Sequence, residues 1–161
     1  MTHVISGFIA KENELERYAK KFSRAKIATL RQGYGFLVWS YDLSSEVHEK
    51  YKVFNTDQKV GIEISKLTPV AYVETDYFGG FGEQNATVWR EGKKKTYKRK
   101  MFGPIDQALA DIGVQSSPTE DEFDALGLGN HRTNDDWLEI ADYCGDDDWV
   151  EITKEDLDFQ I

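Results

Sequence analysis

The spacing of hydrophobic residues changes along the first fifty residues of the chain. Each spacing predicts either a strand or a helix. The apolar run 4–10 contains Val and Ile and is typical of a strand. Residues 12–23 predict a helix, because four apolar residues follow the i, i+3, i+4, i+7 spacing of one helix face: Leu15, Tyr18, Ala19 and Phe22. Two further strands are predicted over 27–30 and 35–41, joined by a turn that contains Gly33, and a short helix from Ser44 to Tyr51.

The second half of the chain continues this alternation of strand and turn before it becomes helical. Strands are predicted over 70–78 and 86–90, followed by a tight turn at 91–93 and a third strand over 94–99. Pro104 suits the first turn of a helix that Gly113 would end. The apolar stripe of that helix consists of Ile105, Ala108, Leu109 and Ile112.

Residues 116–136 are mostly acidic and turn-forming, with a capping-box pattern from Thr119 to Glu122 that predicts another short helix. Strands and helices do not alternate regularly along the chain. This order favours an α+β fold, with a mostly antiparallel sheet and two or three helices packed on one face. No internal repeat or low-complexity linker is present, so residues 1–161 are predicted to form a single globular domain.

Composition supports a folded chain and restricts its surroundings. Hydrophobic residues make up 40% of the 161 positions and aromatic residues 13%, which is typical of a globular domain. Cys144 is the only cysteine, so no disulfide can form within the chain and a reducing compartment is expected. The first residues do not resemble a signal peptide, and no apolar run approaches the roughly 20 residues of a membrane helix. A cytoplasmic protein without membrane contact is expected.

Charge is divided unevenly between the two parts of the chain. Residues 1–100 carry 18 Lys and Arg against 12 Asp and Glu, whereas residues 101–161 carry 2 against 17. Aromatic residues among carboxylates in the acidic region 116–161 indicate a surface that steers and anchors a basic partner. The predicted partner-binding residues are Asp135, Asp136, Trp137, Asp146, Asp147, Asp148 and Trp149. The alternatives are that the acidic and basic parts of the chain face each other, or that Trp137 and Trp149 are core residues.

The most distinctive motif is a glycine-rich loop whose residues are Phe78, Gly79, Gly80, Phe81, Gly82, Glu83 and Gln84. It lacks the Lys-Ser/Thr of a phosphate-binding loop, and it leads into a strand rather than a helix. The glycine density predicts a tight hairpin, with a positive φ at Gly79, Gly80 or Gly82 and a close approach of two backbones. A ligand or partner loop is the alternative interpretation.

Other candidate chemistry is weak. The three histidines, His3, His48 and His131, have no metal-ligand spacing, and the acidic run 146–148 does not fit a calcium-binding loop in either register, so neither metal nor cofactor is expected. Neighbouring carboxylates would suppress the thiolate of Cys144. The basic run 93–100 is compatible with nucleic-acid binding, but the pI near 4.8 makes a solvated sheet edge an equally good explanation.

Segments of residues 70–132 resemble a family of small uncharacterised bacterial proteins. The shared pattern includes the stretch 71–84, Val88-Trp89, Asp121 to Asp124 and Leu126-Gly127-Leu128. In size, acidity and lack of an enzyme motif the chain is also similar in type to bacterial toxin-immunity proteins. That second resemblance implies a protein-binding inhibitor and assigns no individual residue.

Two functional hypotheses follow. The first is an immunity protein that masks the active surface of a cognate toxin, such as a nuclease, and is not itself an enzyme. The second is a small-ligand-binding protein or enzyme that uses the glycine-rich loop with Glu74, Asp76 and Glu83. A deep pocket lined by carboxylates would favour the second hypothesis, and a flat acidic patch with exposed aromatic residues would favour the first.

Overall fold

One antiparallel sheet forms the centre of the molecule. The computed structural model describes residues 2–78, 81–97 and 103–142. Within them, the strands are β1 (Thr2–Lys11), β2 (Ile27–Thr29), β3 (Tyr34–Val38), β4 (Val70–Phe78), β5 (Phe81–Arg90) and β6 (Lys93–Tyr97). Their order across the sheet is β2-β3-β1-β4-β5-β6, and every neighbouring pair is antiparallel. The antiparallel α+β class predicted from the sequence is confirmed.

Six α-helices lie within the described residues, more than the two or three predicted. They are α1 (Glu12–Ala19), α2 (Tyr41–Tyr51), α3 (Thr56–Ser65), α4 (Pro104–Asp111), α5 (Glu122–Leu126) and α6 (Asn134–Ala141). The helix α3 was not predicted at all. Its interior contains Gly61, which lowers helix propensity. The structure explains this glycine, because a Cβ there would lie 2.7 Å from the Trp89 ring of β5.

The prediction that helices pack on one face of the sheet is wrong, since they cover both. On one face α1, α2 and α3 pack over alternate strand residues such as Phe8, Leu37 and Tyr72. On the other face α4, α5 and α6 pack over the intervening residues, including Ile9 and Phe36. The central strands are therefore buried on both faces, and their apolar runs no longer alternate with polar residues.

The residues that the sequence predicts to begin and end helices and turns do so in the structure at most positions. Pro104 occupies the first turn of α4, the helix closes at Gly113 with φ +106, and the turn between β5 and β6 lies at 91–92. The position of the α5 cap differs from the prediction. Asp121, rather than Thr119, caps this helix by accepting a hydrogen bond from the Asp124 amide. The Asp carboxylate accepts from the backbone amide three residues further on, as an N-cap side chain does.

Candidate functional site

The best candidate site is an exposed half of the sheet on the face that carries α1, α2 and α3. The register of β1, β4 and β5 places Val4 opposite Asp76 and Asp76 opposite Glu83, so these three side chains project from the same face. Ser6, Glu74 and Asn85 form the next row on that face. We call the surface formed by Val4, Glu74, Asp76, Phe78 and Glu83 the open sheet patch.

The open sheet patch exists because the helices cover only the other half of this face. Phe8 and Tyr72 lie under the helical layer and are at most 8% exposed. Further along the same strands, Val4 lies two rows away and is 44% exposed, and Phe78 lies three rows away and is 76% exposed. Exposed apolar residues that adjoin one another are typical of interaction surfaces.

The electrostatics of the open sheet patch are uniformly negative. Asp76 and Glu83 are exposed and directly opposite each other on neighbouring strands. Like charges in that position destabilise a sheet. No ion pair to either carboxylate occurs within residues 2–78, 81–97 and 103–142. Neither side chain therefore has a partner that offsets the repulsion inside the described fold.

Glu74 differs from these two carboxylates because it is half-buried and held by a neighbour. The Tyr72 hydroxyl donates a hydrogen bond of 2.7 Å to Glu74 Oε1. Burial of Tyr72, together with this hydrogen bond, raises the pKa of the phenol above its ordinary value. Tyr72 stays a neutral donor at physiological pH and fixes the orientation of Glu74.

The shape of the open sheet patch is a shallow groove of about 300 Å³ between β1 and the β4–β5 hairpin. Its carboxylates can accept hydrogen bonds from guanidinium or ammonium groups. The part of the chain that the structure describes holds no group of three or more His, Cys, Asp or Glu side chains arranged to bind a metal ion. The groove therefore presents hydrogen-bond acceptors on a negatively charged surface.

The opposite face of the same half-sheet is covered. Thr75 is 3% exposed, and its hydroxyl accepts a hydrogen bond from the Ile5 amide and contacts His3 Nδ1 at 2.7 Å. His3 Nε2 lies 3.4 Å from the Leu128 carbonyl in the segment that follows α5. Burial lowers the pKa of His3. These residues attach the segment after α5 to the sheet.

The structure corrects part of the predicted C-terminal site. Trp137 is fully buried and its ring lies 5.5 Å from that of Phe36, so it is a core residue and not an exposed anchor. Asp136 is only 7% exposed, and its amide closes the α6 cap with Thr133. Asp135 is exposed. The remaining predicted residues lie outside the described residues: Asp146, Asp147, Asp148 and Trp149.

The glycine-rich loop divides between the two faces. Gly79 and Gly80 lie outside the described residues, and Gly82 does not have the positive φ considered for it. The predicted close approach is present instead, because a Cβ on Gly82 would lie 1.9 Å from the Asp76 carbonyl oxygen. Gln84 points to the covered face, where its Oε1 accepts a bond of 3.4 Å from the Ile105 amide. Phe78 and Glu83 belong to the open sheet patch.

A second acidic cluster joins α4 and α5 on the covered side of the molecule. Asp106 accepts a hydrogen bond of 2.9 Å from the Phe123 amide at the start of α5. Burial, with the charges of Asp121 and Glu122 nearby, raises the Asp106 pKa to about 6. This carboxyl already has a structural role as a helix-capping group.

The chain matches no protein-family model, no curated protein and no solved structure in the comparisons made. The family resemblance of residues 70–132 therefore stays a prediction. Among the described helices, none combines the length and the apolar character needed to span a bilayer.

The sequence predicts Glu74, Asp76 and Glu83 only as an alternative site, and it does not predict that Val4 belongs to it. A signal for part of this site is present in the sequence, since Glu74, Asp76 and Phe78 alternate along one predicted strand and must share a face. The exposure of Val4 has no such signal, because Val4 begins an apolar run whose other members are buried.

Proposed function

We propose that the protein is a protein-binding inhibitor of the immunity type, and that its open sheet patch covers a basic surface of a cognate toxin. The observation that carries this proposal is the combination of exposed Val4 and Phe78 with two directly opposed carboxylates that have no ion pair among residues 2–78, 81–97 and 103–142. Such a surface has the acidic rim and apolar contacts that capture a basic protein.

A nuclease is the toxin class that fits best. Nucleases bind phosphates through Lys and Arg, so their substrate surface is complementary to a row of carboxylates. Asp76, Glu83 and Glu74 would occupy the positions where nucleic-acid phosphates otherwise bind. Val4 and Phe78 would supply the desolvated contact that slows dissociation.

The small-ligand or enzyme hypothesis receives less support from the same geometry. The groove is shallow, and Asp76 and Glu83 are exposed. A small molecule bound there would leave much of its surface in water, whereas ligand pockets bury most of theirs. A protein partner extends beyond the groove and can cover the whole patch.

The test starts with isolation of the partner. The immobilised protein is exposed to a lysate of the organism that encodes it, and the retained basic protein is identified and produced separately. We expect the inhibitor to abolish the activity of this partner at a one-to-one ratio. A partner whose activity is unchanged by saturating inhibitor would overturn the proposal.

A charge-matched pair of variants then locates the interface. The triple variant Glu74→Gln, Asp76→Asn, Glu83→Gln removes three charges from the patch, and the control Glu16→Gln, Asp42→Asn, Glu139→Gln removes three exposed charges elsewhere. We expect the patch variant to reduce the association rate at low salt by about tenfold or more, and the control by much less.

The C-terminal interpretation is tested in the same assay with Asp146→Asn, Asp147→Asn and Asp148→Asn. If that variant slows association while the patch variant does not, the interface lies in the C-terminal region and not on the sheet. Equal rates for the patch variant and the wild type at low salt would likewise remove the patch from the interface.

A further inference from the structure

The corner between α2 and α3 displays the most exposed large apolar side chain of the described residues. Phe54 is 93% exposed. Tyr41, on the same side of α2 as Ser45 and His48 by helical spacing, is 85% exposed. Neither residue belongs to the open sheet patch, and the proposed function does not use them.

The chain holds Phe54 in a defined position. Lys52 ends α2 in the left-handed conformation, with φ 55, which turns the chain sharply after the helix. His48 Nδ1 then donates a hydrogen bond of 2.7 Å to the Val53 carbonyl. The His48 ring lies 5.6 Å from the Phe54 ring at an angle of 39°. The phenyl group is therefore supported from one side while its other face is open to solvent.

Phe54 forms one wall of a groove of about 380 Å³, whose other lining residues are Ser44, Ser45, His48, Glu49 and Thr56. The Ser44 and Thr56 hydroxyls contact each other at 2.8 Å and close its floor between α2 and α3. The projecting ring and the groove that could accept such a ring are thus neighbours on one surface. A two-fold axis beside them would place each copy's ring in the other copy's groove.

The charge of this corner is compatible with self-association, although the chain as a whole carries −9. Residues 41–66 hold four Lys against five Asp and Glu, so two copies do not repel each other strongly there. Lys52 is exposed two residues before Phe54, and the exposed Glu49 lines the groove. Under the two-fold arrangement, Lys52 of one copy approaches Glu49 of the other.

We propose that a second copy of this chain occupies the groove, forming a symmetric dimer through Phe54 and the α2–α3 corner. The contact is small, so the dimer is a weak one that forms in the micromolar range or above. Because it uses residues outside the open sheet patch, a failure of this proposal leaves the proposed function untouched.

The test is analytical ultracentrifugation of the full-length protein between about 5 µM and about 500 µM, a range that spans weak association. We expect the wild type to shift from monomer towards dimer. Phe54→Ser should raise the dissociation constant by tenfold or more, and Glu49→Lys should do the same by placing like charges together. The double variant Lys52→Glu, Glu49→Lys restores the charge pair and should recover association.

Phe78→Ser is the matched control, because it removes an exposed phenyl group from the other surface. It should leave the dissociation constant of the dimer unchanged. A wild type that stays monomeric throughout this range would overturn the proposal, as would a Phe54→Ser variant that associates normally. If Phe78→Ser were the variant that abolished association, the dimer contact would lie on the open sheet patch instead. Circular dichroism of each variant verifies that it is folded.

Discussion

The two faces of one half-sheet, at residues 2–6, 74–78 and 81–85, have opposite environments. On the covered face Ile5 is 2% exposed and belongs to the hydrophobic cluster that includes residues of 103–142, and Thr75 is 3% exposed and accepts a hydrogen bond from the Ile5 amide. On the open face, Val4, next to Ile5, is 44% exposed, and Phe78, three residues after Thr75, is 76% exposed. Since successive strand residues alternate between faces, the same backbone carries both environments.

This difference separates the stabilising residues of the strands from those available for binding. The covered face contributes burial and hydrogen bonds to the fold. The open face contributes a repulsive pair, Asp76 and Glu83, that the described fold does not offset. Groups that weaken a fold without contributing to its packing are frequent at functional surfaces.

The largest expected difference between the two faces comes from truncating two adjacent side chains of β1. Ile5→Ala removes a buried side chain from the core and should lower the free energy of unfolding by about 3 kcal/mol. Val4→Ala should change it by less than about 0.5 kcal/mol, because that side chain is already in water. Urea unfolding at neutral pH measures both values. Equal losses from the two substitutions would show that the open face is buried in solution.

The hydroxyl of Thr75 gives a smaller effect on the covered face. Thr75→Val preserves the shape of the side chain but removes the acceptor of the Ile5 amide and the contact with His3. A loss of about 1–2 kcal/mol in unfolding free energy is expected. Thr96→Val, at an exposed position of the edge strand β6, is the control and should be nearly neutral. If Thr75→Val left the free energy of unfolding unchanged, the Thr75 hydroxyl would make no net contribution to stability.

Asp106, on the covered side of the molecule, makes the free energy of unfolding depend on pH. Its pKa is raised from 3.8 in the unfolded chain to about 6 in the fold. The folded state thus binds the proton more tightly, and this group's contribution lowers stability as pH rises through that window. The carboxyl is partly exposed, so solvent screening reduces the effect to about 1 kcal/mol.

Asp106→Asn keeps an oxygen for the Phe123 amide and removes the charge. It should increase the free energy of unfolding at pH 7 by about 1 kcal/mol and have little effect at pH 4, measured by urea unfolding at both pH values. Asp42→Asn, at an exposed position of α2, should show no such difference. A variant that is less stable than the wild type at pH 7 would contradict the raised pKa.

The smallest expected effect is a gain in stability on the open face. Glu83→Gln relieves the repulsion with Asp76 and should increase the unfolding free energy by about 0.2–1 kcal/mol at low salt. The gain should diminish as salt is added. Glu139→Gln in α6 provides the comparison, because it removes one exposed charge with no facing carboxylate in a sheet register. A loss of stability in Glu83→Gln would indicate that Glu83 has a favourable interaction in the fold.

Strands and the first turns of helices were predictable from the sequence where a single local signal dominates. Val4 to Ala10 lies within β1, residues 70–78 are β4, and Pro104 starts α4. The arrangement of helices on two faces was not predictable in this way. Adjacent apolar residues such as Phe8 and Ile9 show that a strand is buried, but they do not show which helices bury each face.

Only part of the candidate binding surface could be predicted from the sequence. Charge and alternation identify Glu74 and Asp76 as neighbours on one face. The carboxylates that flank Trp137 in the sequence predict an exposed anchor, with a core residue as the alternative. The helix α6 places it against Phe36 instead, since residues next to each other on a helix face different directions. Burial at such positions depends on tertiary packing, which flanking charge does not reveal.

The chain segment before α6 covers an edge of the sheet that would otherwise be unpaired. The strand β3 pairs with β1 only from Gly7 onward, so the first residues of β1 would form an unpaired edge. Residues 132–134 fill this gap, as the Val4 amide donates to the Arg132 carbonyl at 2.7 Å and the Ser6 amide donates to Asn134 Oδ1 at 2.8 Å. Detachment of this segment would expose an apolar strand edge on which another chain could build intermolecular strands.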